Sequence, residues 1–104
     1  MNKKYIMVTT TFNNKEEALR LMNLLLEKRL VSCGQLMSII SAYHWNGKIE
    51  NEEEYLLQMK TKKNLYKEIE KIIKEKHTYE LPQIVYYELD GYDKYLEWIE
   101  NETR

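Results

Sequence analysis

The sequence has few residues that interrupt regular secondary structure, with three glycines and one proline in 104 residues. So few breakers predict long helices and strands joined by short turns. The single cysteine, Cys33, excludes an internal disulfide bond and is typical of a reducing compartment, so we expect the protein in the cytoplasm. No apolar run approaches the roughly 18 residues of a transmembrane helix, and we therefore expect no membrane partner.

An excess of positive charge is also missing, because 16 Lys and Arg residues stand against 17 Asp and Glu residues. Without a basic footprint, nucleic acid is not the expected partner. The sequence also lacks a glycine-rich phosphate loop, a nucleophile elbow and an H-E-x-x-H motif, so we expect no enzymatic activity. Tyrosine is abundant, with nine residues against one phenylalanine, and it suits the half-buried positions of subunit contacts.

Apolar periodicity and turn residues predict one domain over residues 1–104, with the element order β-α-β-β-α-β-α. The elements are a strand over 3–11, a helix capped at 13–14 and ending near 28–29, strands over 32–45 and 48–61, a helix capped by Asn64 and ending near His77, a strand over 83–90 and a helix over 93–101. Two split β-α-β halves joined by a hairpin form the ferredoxin-like α+β fold, with a four-stranded antiparallel sheet. Right-handed crossovers place both long helices on one sheet face and leave the other bare.

The pair Asn46 and Gly47 is the strongest hairpin signal, because both residues tolerate the positive φ of a type I′ turn. A fully extended strand over 32–45 spans about 45 Å, whereas a compact domain of this length has a diameter of about 34 Å. We therefore expect the hairpin to extend past its own domain and pair with a neighbouring subunit; a bend at Gly34 or a bulge is the alternative. The acidic residues 50–54 are expected to face solvent.

Five short strings give the chain a resemblance to a known family. They are RLVSC at 29–33, AYHWNGK at 42–48, MKT at 59–61, HTYELP at 77–82 and YLEW at 95–98. With these strings at their spacing, the chain resembles the divalent-cation-tolerance family, the CutA proteins. The resemblance implies a ferredoxin-like fold, a tight homotrimer and a likeness to the trimeric PII signalling proteins, which bind small ligands in clefts between subunits. It also implies a role in tolerance of copper and other divalent metals, and no enzymatic reaction.

The resemblance also bears on a metal site. Copper-binding relatives use a first-strand cysteine and a paired His-His, whereas this chain has Thr10 and Lys76 at two of those positions and keeps His77. We predict His77, Glu80 and Cys33 as ligands for copper(II) or another divalent cation that folding does not require. The alternatives are a His77 that contacts carbonyl groups at the helix end and a Cys33 that is a small buried apolar residue.

Four further residues are predicted to line a ligand cleft. Trp45 is expected to anchor a subunit contact, Lys60 to attract an anion, and Pro82 to fix the loop that presents Tyr79.

Two functions follow as hypotheses. One is a cytoplasmic homotrimer that binds metal in an intersubunit cleft; the alternative is a PII-like regulatory trimer that binds a small anion near Lys60 and Tyr79.

Overall fold

The computed structural model describes residues 4–104. The elements are β1 (Tyr5–Phe12), α1 (Lys15–Glu27), β2 (Cys33–Trp45), β3 (Lys48–Lys62), a 3₁₀ turn (Lys63–Leu65), α2 (Tyr66–Lys76), β4 (Ile84–Glu88) and α3 (Asp93–Glu102). The predicted element order is confirmed, although the predicted start of the first strand at Lys3 lies outside the described residues. Among residues 4–104, no helix has the length and apolar character needed to cross a membrane.

Local sequence explains where α1 begins. The Asn14 side chain accepts a hydrogen bond from the Glu17 backbone N–H at 3.0 Å, which satisfies one of the free donors of the first turn. Ala18, Leu21 and Leu25 then recur at helical spacing and are buried. The predicted cap and apolar stripe of this helix are therefore confirmed.

The predicted cap of the second helix is wrong. Asn64 lies inside the 3₁₀ turn, and α2 begins at Tyr66 without a side-chain cap. The reason is that β3 remains in the sheet as far as Lys62, which opposes Tyr5 of β1. The backbone N–H of Lys63 then bonds the Lys4 carbonyl at 2.7 Å, so the chain enters the turn before it reaches Asn64.

The four strands form one antiparallel sheet in the order β2-β3-β1-β4, which confirms the ferredoxin-like fold class. One face of the sheet packs against α1 and α2 through alternate residues of β1 such as Ile6, Val8 and Phe12. The opposite face is not wholly bare, because Tyr5 packs against Leu96 and Ile99 of α3.

The β2–β3 hairpin extends beyond the rest of the domain, as predicted. Residues 55–62 of β3 pair with β1, whereas residues 48–54 pair only with β2. The overhang gives the chain a long axis of 44 Å against 28 and 22 Å for the other two axes. At its tip Asn46 (φ 51°) and Gly47 (φ 76°) both have the positive φ that a type I′ turn requires.

Candidate functional site

An open groove with a volume of about 720 Å³ lies between the overhanging hairpin and the loop that follows α2. This size falls within the usual range for small-molecule sites. The residues that matter for its chemistry are three glutamates and three aromatic residues. They are Glu52, Glu54 and Glu80, with Tyr43, Trp45 and Tyr79.

His77 fixes the start of the loop on one side of the groove. Its Nδ1 accepts a hydrogen bond from the Tyr79 backbone N–H at 3.1 Å, so its Nε2 carries the proton and donates to the Thr11 carbonyl at 2.7 Å. The imidazole also stacks on Phe12, with ring centroids 4.1 Å apart and planes within 7°. Burial lowers the pKa of His77, although the Thr11 carbonyl and the nearby Glu17 and Glu54 carboxylates act in the opposite direction. The ring is therefore neutral at neutral pH, and its two hydrogen bonds link the loop to β1.

The loop then crosses to the hairpin through Tyr79. The Tyr79 hydroxyl donates a 2.6 Å hydrogen bond to Glu54 Oε2, and Glu54 is only 6% exposed. Burial and then this carboxylate raise the pKa of Tyr79, so the phenol stays protonated and Glu54 accepts. The expectation that residues 50–54 all face solvent is wrong at Glu54. The strand β1 ends at Phe12, which pairs with Tyr55, so no β1 residue lies beside Glu54. The loop after α2 occupies that position instead.

A second phenol–carboxylate pair lies nearer the hairpin tip. The Tyr43 hydroxyl donates to Glu52 Oε1 at 2.6 Å, and this bond is the main reason that the pKa of Tyr43 rises to about 12. Both partners are more exposed than Tyr79 and Glu54. Two of the three groove carboxylates, the buried Glu54 and the more accessible Glu52, therefore each accept a hydrogen bond from a neutral phenol.

The structure brings only some of the predicted site residues together. Trp45, Tyr79 and Glu80 line the groove, and His77 and Pro82 belong to the loop that forms one side of it. Cys33 and Lys60 face each other across β2 and β3, in register with Met7 of β1. Met7 is four residues before Thr11, the β1 residue that lines the groove. At the usual rise per residue this separation is about 13 Å. Within one subunit, Cys33 and Lys60 therefore lie away from the groove.

Lys60 has its own local partner. Its Nζ donates to the Tyr95 hydroxyl of α3 at 3.1 Å and lies 5.3 Å from the centroid of that ring. The hydrogen bond raises the pKa of Lys60, which stays charged, while its partial burial acts in the opposite direction. Lys60 and Tyr79 thus do not form a common anion site within one chain.

The residues of a single subunit do not fit a copper site. Both ring nitrogens of His77 already make hydrogen bonds, so a metal would have to break one of them. Thr10 is fully buried in the core, and its hydroxyl has no hydrogen-bond partner. Across residues 4–104, no group of three or more His, Cys, Asp or Glu side chains is arranged to hold a metal ion. Protein metal sites usually need three or four such donors.

Glu54 is a groove residue that the sequence did not single out. In the sequence Glu54 follows Glu52 and Glu53 and precedes Tyr55. No local pattern separates it from the other acidic residues. Its burial depends on Tyr79, which is 25 positions away along the chain. Only the packing of the loop against the hairpin distinguishes this glutamate.

Comparisons with known proteins agree with the fold. A family model described as "CutA1 divalent ion tolerance protein" matches residues 6–102. The divalent-cation tolerance protein CutA of Pyrococcus horikoshii is 37% identical over 100 residues, which cover 95% of this chain and 98% of that protein. The crystal structure of the divalent ion tolerance protein CutA1 from Ehrlichia chaffeensis has 30% identity and a TM-score of 0.90, covering 100% of this chain and 99% of that one.

The description of a third relative names a compartment for that protein. The structure described as the periplasmic divalent cation tolerance protein CutA from Archaeoglobus fulgidus has 31% identity and a TM-score of 0.91. It covers 94% of this chain and 97% of that chain. Because the family model spans nearly the whole sequence and the structural likeness is equally complete, the chain belongs to the CutA1 divalent ion tolerance family.

Proposed function

We propose that this protein serves divalent-cation tolerance as a cytoplasmic homotrimer that binds cations in the groove between the hairpin and the loop after α2. The observation that carries the proposal is the charge of the groove. Glu52, Glu54 and Glu80 line it, and in the described part of the chain no Lys or Arg side chain lines it. A groove whose fixed charges are negative attracts positively charged ligands.

The trimer is supported by the apolar surface that one subunit leaves exposed. On the sheet face opposite α1 and α2, Met37, Val85 and Tyr87 are 44–50% exposed. The sheet also ends in two edge strands, β2 and β4, whose outer backbone groups can pair with another copy. Light scattering on the purified protein tests this, because a particle of 12.7 kDa at micromolar concentration would contradict the trimer.

Copper(II) is the first divalent cation to test. Glu80 is exposed at the groove and offers oxygen donors, and a second subunit would have to supply others because one subunit lacks a complete set. His77 joins such a site only if it gives up its bond to Thr11 or to Tyr79. Copper is therefore proposed on the charge of the groove and on Glu80 rather than on a preformed histidine site.

Calorimetric titration with copper(II) tests this proposal. The proteins to compare are the wild type, Glu80→Gln, His77→Ala and, because His44 also lines the groove, His44→Ala. A ligand role for Glu80 predicts a weaker site in Glu80→Gln. Equal copper binding by the wild type and His77→Ala would remove His77 from the site. A loss confined to His44→Ala would place the metal on the hairpin side of the groove. Absence of copper binding by the wild type would contradict the copper proposal.

The size of the groove favours a second function, binding of a small molecule as in a regulatory trimer. A volume of about 720 Å³ is far larger than one ion and its ligands require. A thermal-shift screen of metabolites tests this function. A ligand present at about 100 times its Kd adds roughly 2.7 kcal/mol to the free energy of unfolding. No shift with any charged or neutral metabolite would contradict it.

A further inference from the structure

We infer that α3 is a salt-sensitive strap. It detaches from the end of the sheet as one unit when added salt screens the charges that hold it, while the rest of the domain stays folded. Detachment uncovers Tyr5 and Lys62, which are 6% and 7% exposed when α3 is in place. The surface at this end of the sheet therefore changes with ionic strength.

The first argument is that α3 does not belong to the main hydrophobic core. The buried residues of α1 and α2 all belong to one large cluster, which also includes residues of β1 and β3. In α3 the buried apolar residues are Leu96 and Ile99, and they form a separate small cluster with Tyr5 and the partly buried Leu89. Segments with few buried apolar contacts open at a lower free energy than the core. Of the three α-helices, α3 is therefore the one expected to open first.

The second argument is that α3 has little helical stability of its own. It has ten residues, and an isolated helix of fewer than about 12–15 residues is marginal in water. Asp93 favours its first turn, but the N-cap residue Tyr92 makes no side-chain cap hydrogen bond, and the last turn has no basic residue. Once α3 leaves the sheet, its backbone amides should therefore lose their helical hydrogen bonds and exchange with water.

The third argument is that ion pairs hold the C-terminal segment, defined as residues 93–104. Of the five ion pairs within residues 4–104, four have a partner in this segment. They join Glu100 to Lys4 and Lys62, Glu102 to Arg29, and Arg104 to Glu68. All but the Lys62 pair join side chains that are 35–62% exposed. Salt weakens exposed pairs, because the screening length falls from about 30 Å at 0.01 M to about 3 Å at 1 M.

The contacts of Glu100 with the sheet are the ones that salt reaches least easily. The Lys62 side chain is only 9% exposed, and Glu100 also accepts a hydrogen bond from the Tyr5 hydroxyl at 3.4 Å. Buried or partly buried pairs are screened much less than exposed pairs. We therefore expect salt to raise the frequency of opening rather than to hold α3 permanently open.

These contacts lie within one chain, so they are present in the assembled protein as well. A neighbouring copy can add contacts on the outer side of α3, where Tyr95 and Trp98 are 38% and 41% exposed. If such contacts hold α3 more firmly than the ion pairs do, salt will not release it. The experiment therefore uses the purified oligomer, in which both kinds of contact are present.

Hydrogen–deuterium exchange followed by mass spectrometry measures the opening of each helix. Peptides from α1, α2 and α3 are compared in about 10 mM and about 1 M sodium chloride. We expect exchange in α3 to become about tenfold faster at the higher concentration, because the three exposed ion pairs weaken together. Exchange in α1 and α2 should stay the same. Light scattering at both concentrations follows the mass of the oligomer.

Two variants test the role of the ion pairs, and a third is the matched control. Glu102→Gln removes the exposed pair with Arg29, so α3 should exchange faster at low salt and respond less to added salt. Glu100→Gln removes two pairs and should have the larger effect. Glu88→Gln removes the pair with Lys63, which lies outside the C-terminal segment, and should leave exchange in α3 unchanged. If Glu100→Gln fails to fold, Glu102→Gln and its control decide alone.

Four outcomes would overturn the inference. Exchange in α3 as slow as in α1 at both salt concentrations would show that α3 does not open separately. An equal increase in all three helices would show global unfolding instead of a local opening. Faster exchange together with a fall in particle mass would assign the effect to subunit dissociation. Equal exchange in α3 for the wild type and Glu102→Gln would show that the exposed pair does not hold the strap.

Discussion

Replacing Tyr79 with phenylalanine removes one hydroxyl group and leaves the rest of the ring in place. In the wild type, that hydroxyl donates a 2.6 Å hydrogen bond to the carboxylate of Glu54, a residue that is only 6% exposed to solvent. A hydrogen bond to a charged group contributes about 1.5–3 kcal/mol to stability. The variant leaves a buried carboxylate without its donor, so we expect a loss of about 2–3 kcal/mol.

Thermal and urea unfolding followed by circular dichroism measure this loss. For a domain near this size, about 1 kcal/mol corresponds to roughly 4–8 °C in Tm, so the expected fall is on the order of 10 °C or more. Wild type and variant must be compared at one protein concentration, because Tm depends on concentration if subunits dissociate as they unfold.

The hairpin offers a matched control in Tyr43→Phe. Tyr43 makes a hydrogen bond of the same length, 2.6 Å, to Glu52, but both groups are more accessible to water. Water can replace the lost donor there, so we expect a much smaller effect. Equal losses from Tyr43→Phe and Tyr79→Phe would refute the reasoning, because burial of Glu54 would then not decide the energy.

Two further predictions concern Glu100 on α3 and His77 after α2. Glu100 forms ion pairs with the nearly buried Lys62 and with Lys4. Glu100→Gln should therefore lower Tm more than Glu102→Gln, which loses only the exposed pair with Arg29. Equal decreases in Tm would contradict this prediction. The pKa of His77 is lowered in the folded chain from the ordinary 6.5, so the unfolded chain binds the proton more readily. Stability should therefore fall as pH drops below about 6.5. His77→Gln should show a weaker fall over the same range by urea unfolding, and an unchanged pH profile would contradict the assignment.

Much of the fold follows from local sequence. The type I′ turn at Asn46 and Gly47 and the cap at Asn14 depend on residues within a few positions of one another, and both are as predicted. The length of the hairpin strands also made the overhang predictable. The wrong cap at Asn64 shows the limit, because the pairing of Lys62 with Tyr5 moved the helix start away from the residue with the best local preference.

The sequence by itself determined the family, the order of the elements and the residues Tyr79 and Trp45 as site candidates, since these depend on short strings and local periodicity. Only the tertiary structure decided that Glu54 is buried, that His77 uses both ring nitrogens, and that Lys60 lies apart from Tyr79. The physical reason is that burial and hydrogen-bond partners arise from segments far apart in the chain. The β1 strand ends at Phe12, the loop after α2 fills the space beyond it, and that contact gives one glutamate of an acidic run its buried environment.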